Sequence, residues 1–332
     1  MSSGLKVLQP GIFSLIEDAG RFGHHGIGLT SGGPMDPQAF QWANRLCGNP
    51  LSAAAIEITV GGLILEATVD TTIAITGATV PFSINRQTRE LWQSHPLKVG
   101  DRIELGFALS GSRGYLAVAG GFTIKPIFNS AATVTREALG GLHCDGTALQ
   151  AGDLLPCSVN PARQQLRVPE NQRPDYADNS ALLRVILGYQ QQAFSTVSQQ
   201  RFFSSEYRVT ESSDRMGFRL KGPAIQSTLD GILSEGICLG AIQVPADGQP
   251  IILLNDRQTI GGYPKLGSVL SLDLGKLAQL LPGGSVRFEA ISIEQAHNAL
   301  LLSQQRFNDA VLETLTTDFD DDEKDEKGEE GG

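Results

Sequence analysis

The chain has 332 residues, enough at roughly 150 per domain for about two domains with cores of their own. It is 41% apolar and 19% charged, and no apolar run approaches the ~20 residues of a membrane-spanning helix, so disordered and membrane-embedded classes are excluded and a soluble globular protein is expected. The formal charge of −10, from 26 basic and 36 acidic residues, argues against nucleic acid as a partner.

Much of that charge is local. Residues 318–332 carry nine carboxylates and two lysines and are expected to form a disordered acidic tail, leaving 27 acidic and 24 basic residues, a charge of −3, for residues 1–317. Cys47, Cys144, Cys157 and Cys238 are widely spaced, with no CxxC and no Cys/His cluster, so neither a metal site nor a disulfide framework is signalled. The N-terminal residues lack a basic stretch followed by a long apolar one. A cytoplasmic protein with reduced thiols is expected.

Glycine is enriched, 38 residues or about 11% against a usual ~7%, and it punctuates short apolar stretches. In chain order the spacing predicts strands at 63–65, 72–76, 102–105, 114–118, 182–187, 240–244, 251–254, 269–273 and 286–291. A helix is predicted at 37–46, with Asp36 as N-cap, Pro37 in its first position and Ala39, Phe40, Ala43 and Leu46 on one face. A second is predicted over 292–315, with Ala296, Leu300, Phe307, Val311 and Leu315 marking its apolar side. Residues 161–179 hold three prolines and no hydrophobic period, the pattern of a linker. Segments 5–11 and 183–189 resemble each other loosely, as do 18–36 and 213–225, a weak sign of a duplicated β unit. The expectation is a mainly β protein with an N-terminal domain at 1–165, a second at 166–317 and the tail at 318–332.

Two stretches carry most of the chemical potential. The first is the glycine-rich loop 18–36, in which closely approaching backbone, the Arg21 guanidinium and the N-terminus of the following helix could together hold an anion, although Asp36 as a cap, Gly32 and Gly33 as turn residues and Asp18–Arg21 as a surface ion pair account for the same residues. Its adjacent histidines, His24 and His25, do not have metal-ligand spacing. The second is Asn255-Asp256-Arg257-Gln258-Thr259-Ile260-Gly261-Gly262-Tyr263, which follows an apolar strand and delivers a carboxylate, a guanidinium, an amide and a hydroxyl to one rim. A plain hairpin with an Asp256–Arg257 pair would explain the same residues. Arg215 and Gln243 lie in two further polar segments and extend the set. There is no phosphate-binding loop, no nucleophile elbow, no dinucleotide-binding glycine motif and no Met-Lys-Met biotin-attachment site. A chain working with ATP or carboxybiotin would need a partner to supply it.

The segments EDAGRFGHHGIGLTSGGPMD, WANRLCGNPLSAAAIEITVGG, RGYLAVAGGF, SDRMGFRLKGP, SEGICLGAIQVPADGQPIILLNDRQTIGGYPKLGSVL and LAQLLPGGSVRF resemble, in this order, those of the KipA family. That family is also called allophanate hydrolase subunit 2, the biotin-dependent carboxyltransferase-like family or the 5-oxoprolinase C-subunit family, and the resemblance runs over about residues 5–295. Gly33, Phe122 and Phe128-Asn129-Ser130 depart from its usual pattern, and the tail lies outside it. The resemblance implies two cyclophilin-like β-barrel units with a few helices. It also implies one component of ATP-dependent 5-oxoprolinase, acting with a KipI-like B subunit and a separate A subunit on a small-molecule substrate, with ATP and Mg2+ bound somewhere in the complex and no biotin attached to this chain. On that reading Asp256 and Arg257 are the catalytic pair, and Arg215, Gln243, Gln258, Thr259, Tyr263, Arg21, Ser31 and Asp36 meet substrate. Two alternatives stand beside it: a carboxyltransferase component of a biotin-dependent urea or amide carboxylase, and a non-enzymatic regulator that binds the KipI-like inhibitor of a kinase.

Overall fold

Residues 3–161 and 164–315 are described by a computed structural model; the expected acidic tail lies outside the described residues. Strand alternation builds the first half. In Thr71–Thr79 and Ser110–Val118, Ile73, Ile75, Leu116 and Val118 point to one face and Ala74, Tyr115 and Ala117 to the other, and both sets are buried. The first set meets Leu5, Val7, Leu65 and Ile103 from a six-stranded sheet, so the two sheets pack face to face around one core. That sheet runs Leu154–Pro156, Gly4–Pro10, Leu63–Ala67, Arg102–Leu105, Phe82–Ile84, Gln87–Thr88. The five-stranded one runs Phe13–Glu17, Ala55–Thr59, Ser110–Val118, Thr71–Thr79, Ser94–Leu97.

The predicted helix α1 (Pro37–Leu46) forms with the expected bounds, capped by Asp36 Oδ1, which accepts from Ala39 N at 3.1 Å. It covers the outer face of the five-stranded sheet, where Ala55, Ala74 and Ala117 are small enough for Phe40 and Ala43 to approach closely.

In the second half seven strands close into a barrel, in the order Ser180–Leu187, Lys265–Val269, Ala241–Gln243, Ile251–Leu253, Gly217–Lys221, Tyr207–Val209, Ser285–Ala290. Leu183, Val185, Phe218, Leu220, Ile242, Ile252, Val269, Val286 and Phe288 share one buried core. The chain is thus mainly β, as expected, with four helices among the described residues: α1, α2 (Thr196–Ser204), α3 (Ser271–Ala278) and α4 (Ile293–Asp309).

Several local expectations are corrected. The strand expected at 269–273 ends at Val269, and Ser271 opens α3, whose Asp273 is buried and accepts from the Arg184 guanidinium at 2.8 Å. The helix expected over 292–315 starts with a Ser292/Gln295 capping box but stops at Asp309, because Glu313–Leu315 pairs as a strand with Gln165–Arg167. That pairing also removes part of the expected linker: Val168 is buried, and Tyr176 donates to Asp36 Oδ2 at 2.6 Å. Of the internal similarities, 5–11 and 183–189 both contribute strands, whereas 18–36 is a loop and its counterpart contains Gly217–Lys221.

Phe40 packs edge-on to Tyr115 with ring centroids 6.0 Å apart and is 1% exposed. Phe40→Ala is expected to cost about 3–5 kcal/mol of stability, the usual range for a buried aromatic cut back to a cavity. Urea denaturation checks this, and a loss below about 1 kcal/mol would show that α1 is not anchored as described.

Candidate functional site

The two halves meet at a buried charged cluster. Arg215, on the segment entering Gly217–Lys221, reaches across the junction, and each of its guanidinium nitrogens is engaged. Nε donates to Asp256 Oδ2 at 2.9 Å, Nη1 to Glu57 Oε1, and Nη2 to Gly33 O at 2.8 Å, with Glu17 Oε1 3.2 Å from Nη2. Glu57 also accepts from Tyr115 Oη at 2.7 Å and Met35 N at 2.8 Å, and Arg113 Nε lies 3.8 Å from it. Glu17 accepts from Gly33 N at 3.0 Å.

Three carboxylates therefore face two guanidiniums out of water. Burial holds the Glu17 carboxyl well above its usual range; Arg215 opposes that rise, while Glu57 and Asp256 add to it. Burial likewise raises Asp256 against the pull of Arg215. For Arg215 itself burial would favour the neutral form, but the three carboxylates overcome it and hold the cation.

The same junction immobilises both motif loops. Asn255 Nδ2 donates to the carbonyls of Gly32, Gly33 and Pro34 at 3.1–3.2 Å, and the Thr30 hydroxyl contacts the carbonyls of Asn255 and Arg257 at 3.1 and 2.8 Å. Gly33 has φ +91°, and a Cβ there would lie 3.1 Å from Ala19 O. Met35 packs into the barrel core. Gln279, at the end of α3, closes the other side: its Nε2 donates to Asp36 Oδ2 and Arg113 O, and its Oε1 accepts from Ser112 and Arg113 N–H.

This geometry corrects part of the expected site. Arg215 has no free nitrogen to offer a substrate, and Asp256 binds Arg215 rather than positioning Arg257. Asp36 caps α1 and accepts from Tyr176 and Gln279. Arg21, 1% exposed, donates through Nη2 to Ala132 O at 2.6 Å, and its neighbour Asp18 accepts instead from Ser130 Oγ and Ala131 N. The unusual Phe128-Asn129-Ser130 turn is thereby tied to the loop as structure.

A second group gathers on the outer wall of the barrel, beneath a small strap made of Glu235–Gly236 paired with Ile260–Gly261. Ala241, Ile251, Leu253 and Ile237 form a small apolar cluster there. Gln243 is 1% exposed, and its Nε2 has no hydrogen-bond partner among the described residues. Arg257 is buried; Nε donates to Ile237 O and Nη1 to Leu254 O, both at 3.2 Å, and its third nitrogen makes no hydrogen bond among the described residues. The imidazole of His25 is 3.0 Å from Ser31 Oγ, and burial together with the nearby Arg257 cation depresses its pKa. Gln258 and Thr259 are half-buried on the approach to the strap, and Tyr263 is 47% exposed just beyond it. Arg257, Gln243, Thr259 and, across the junction, Ser31 thus border one region. Asp256, Arg215 and Asp36 belong to the framework behind it, whereas Arg21 keeps Nε and Nη1 without a hydrogen-bond partner among the described residues.

Sequence reasoning missed Lys265 and Glu235, which form an ion pair between wall and strap. A lysine directly following Gly-Gly-Tyr-Pro at the start of a barrel strand was the one signal the sequence carried for it. Among the described residues no group of three or more His, Cys, Asp or Glu side chains is placed to hold a metal ion, and no helix is long and apolar enough to cross a membrane.

Comparison with known proteins fits this architecture. The family model for the carboxyltransferase domain, subdomains A and B, matches residues 27–290. The C subunit of Escherichia coli 5-oxoprolinase is 34% identical over 91% of this chain and 96% of its own length, and the Haemophilus influenzae protein of the same name is 35% identical over 85% and 89%. The crystal structure of K. lactis urea amidolyase superposes with a TM-score of 0.87 at 27% identity, covering 92% of this chain but only 20% of that much longer one. The chain belongs to the carboxyltransferase domain A and B family.

The excess carboxyl at the junction makes stability depend on pH. An unfolded Glu17 ionises near pH ~4.3 while the folded one keeps its proton to higher pH, so its contribution to stability falls as pH rises above that value. Glu17→Gln removes this dependence. The variant's stability relative to the parent is expected to improve as pH rises above about 4.5, read from urea midpoints, and a difference independent of pH would contradict the assignment.

Proposed function

We propose that this chain is the C subunit of a cytoplasmic, ATP-dependent 5-oxoprolinase, acting with a KipI-like B subunit and a separate A subunit to hydrolyse 5-oxo-L-proline to L-glutamate. The observation that carries the reading is the extent of the match: 34% identity that runs over 96% of the E. coli C subunit, where urea amidolyase contains the same fold as a fifth of its length. The C-subunit name of those relatives implies other chains that supply the rest of the reaction.

A lactam is a stable amide, so its opening requires an electrophilic ring carbonyl and donors aimed at the oxygen on which charge develops. Gln243 and Thr259 are assigned to hydrogen-bond the lactam, with Gln258, Ser31 and Tyr263 around them. Arg257, fixed by the carbonyls of Ile237 and Leu254, offers its remaining nitrogen to the oxygen on which charge develops. The framework holds these groups in place before substrate arrives. Among the described residues none fit Mg2+ and ATP: the closely set acids Glu17, Glu57 and Asp256 are closed around Arg215, so nucleotide binding is assigned to the partner subunits.

Co-expression with B and A subunits should yield a complex that releases ADP and glutamate in proportion to 5-oxoproline. Arg257→Ala in that complex is expected to lower turnover about 100-fold or more, the scale of one lost charge-stabilising donor, with assembly retained. Unchanged turnover would remove Arg257 from the site.

The fold shared with K. lactis urea amidolyase favours a second reading, a carboxyltransferase component for urea. It requires a biotinylated partner. Detection of a co-purifying biotinyl protein with streptavidin, together with urea-dependent and 5-oxoproline-independent turnover, would establish it in place of the first.

A further inference from the structure

The strap covers polar groups that the junction does not use. Gln243 Nε2 is buried with its hydrogen bonds unmade, an arrangement that folded proteins rarely leave unless something else satisfies it. Gly261 of the strap lies against it: a Cβ there would lie 2.8 Å from Nε2 and 2.5 Å from Ile237 Cδ1, so a larger residue would displace one of these side-chain ends.

Lys265 is the partner of Gln243 in the antiparallel ladder, which sets both side chains on the same face of the barrel wall. It is 8% exposed, and its ammonium pairs with Glu235 of the strap. Glu235 also accepts from Gln190 Nε2 at 2.9 Å, and the ammonium and the Tyr189 hydroxyl hold its carboxyl below the usual range. The two arms of the strap pair as Glu235 with Gly261 and Gly236 with Ile260, flanked by hydrogen bonds from Ile237 N to Thr259 O at 3.0 Å and from Ile232 N to Gly262 O at 2.8 Å. A carboxylate supplied by the protein thus sits on a largely buried cation, next to an amide donor with nothing to bind.

We propose that lifting the strap opens a binding site for a small acid carrying a carboxylate and a neighbouring amide carbonyl, a site kept closed by Glu235 standing in for the ligand's carboxylate. The ligand's carboxylate displaces Glu235 from Lys265, its carbonyl oxygen accepts from Gln243 Nε2, and the freed strap lifts to admit it. The site deepens the 5-oxoprolinase reading and rests on it for the identity of the ligand, since 5-oxo-L-proline has both groups whereas urea lacks the carboxylate.

The distinguishing variant is Glu235→Gln. It removes the competing charge and keeps the hydrogen-bonding shape, so a ligand-binding role predicts tighter binding, whereas a purely structural role predicts unchanged or weaker binding. Isothermal titration of the full-length chain and of its complex with the B and A subunits uses 5-oxo-L-proline and 2-pyrrolidinone, the same lactam without the carboxylate. We expect 5-oxo-L-proline to bind about tenfold or more tightly than 2-pyrrolidinone, Glu235→Gln to tighten 5-oxo-L-proline severalfold, Lys265→Met to erase the preference, and Gln243→Leu to weaken both ligands, on the scale of single charge-assisted contacts. Unfolding midpoints verify that each variant is folded, and Glu235→Gln, whose side chain is 31% exposed, carries the test should Lys265→Met fail to fold. Loss of the preference without Lys265, with tighter binding to the Glu235 variant, supports the site even if the complex fails to hydrolyse 5-oxoproline, an outcome that would overturn only the reaction. A complex that turns over 5-oxoproline while Glu235→Gln leaves binding unchanged or weaker overturns the site, as does absence of binding to both chain and complex.

Discussion

Arg215 is the charge on which both halves of the molecule are hung. It comes from the barrel and binds Glu17 and Glu57 from two neighbouring strands of the five-stranded sheet, together with Asp256 from the loop after Ile251–Leu253. A cation taken out of water at such a seam is tolerated only because carboxylates and a carbonyl surround it, and removing the guanidinium leaves uncompensated buried negative charge. The seam is therefore demanding in geometry, and the segments on either side of it are correspondingly constrained. The glycine-rich loop can run so close to the barrel because its Gly32–Pro34 carbonyls are all taken by the Asn255 amide.

That constraint is what connects fold to chemistry. Arg257 follows Asp256 directly, so anchoring the carboxylate to Arg215 fixes the backbone from which the next guanidinium projects. The Arg257 carbonyl is held by Thr30 from the other half, and its side chain by two carbonyls, those of Ile237 and Leu254. A guanidinium held at both ends with one nitrogen left over suits recognition of a small anion better than a mobile surface arginine does. Burial, together with the Arg257 cation, keeps His25 neutral to lower pH than an isolated imidazole.

Much of the architecture was legible in the chain itself. The 37–46 helix carried its cap, its proline and its apolar stripe in adjacent positions, and most short glycine-bounded strands fell where alternation placed them. What was not legible depended on contacts distant in sequence. α3 begins two residues after a strand, and its first turn reads as β from Val269 to Asp273 until Arg184, 89 positions earlier, is seen to bind Asp273. The 165–167 strand has no signal without its partner at 313–315. The polar motifs were found, but a motif of charged residues looks the same whether it faces a substrate or another part of the chain. Arg215 and Asp256 satisfy one another and share a seam with Glu17 and Glu57, far away in sequence, which no local pattern reveals. Gln243 became informative only once its amide was seen to lack a partner, and Lys265 only once ladder register placed it beside Gln243.

Arg215 and Asp256 serve as the lock between the halves rather than as substrate contacts. A double-mutant cycle on stability, with Arg215→Met, Asp256→Asn and the pair, measures this most directly. A coupling energy of about 2–3 kcal/mol in urea denaturation is predicted, as for contacting members of one buried charged network. A coupling below about 0.5 kcal/mol, accompanied by loss of 5-oxo-L-proline binding in either single variant, would contradict it.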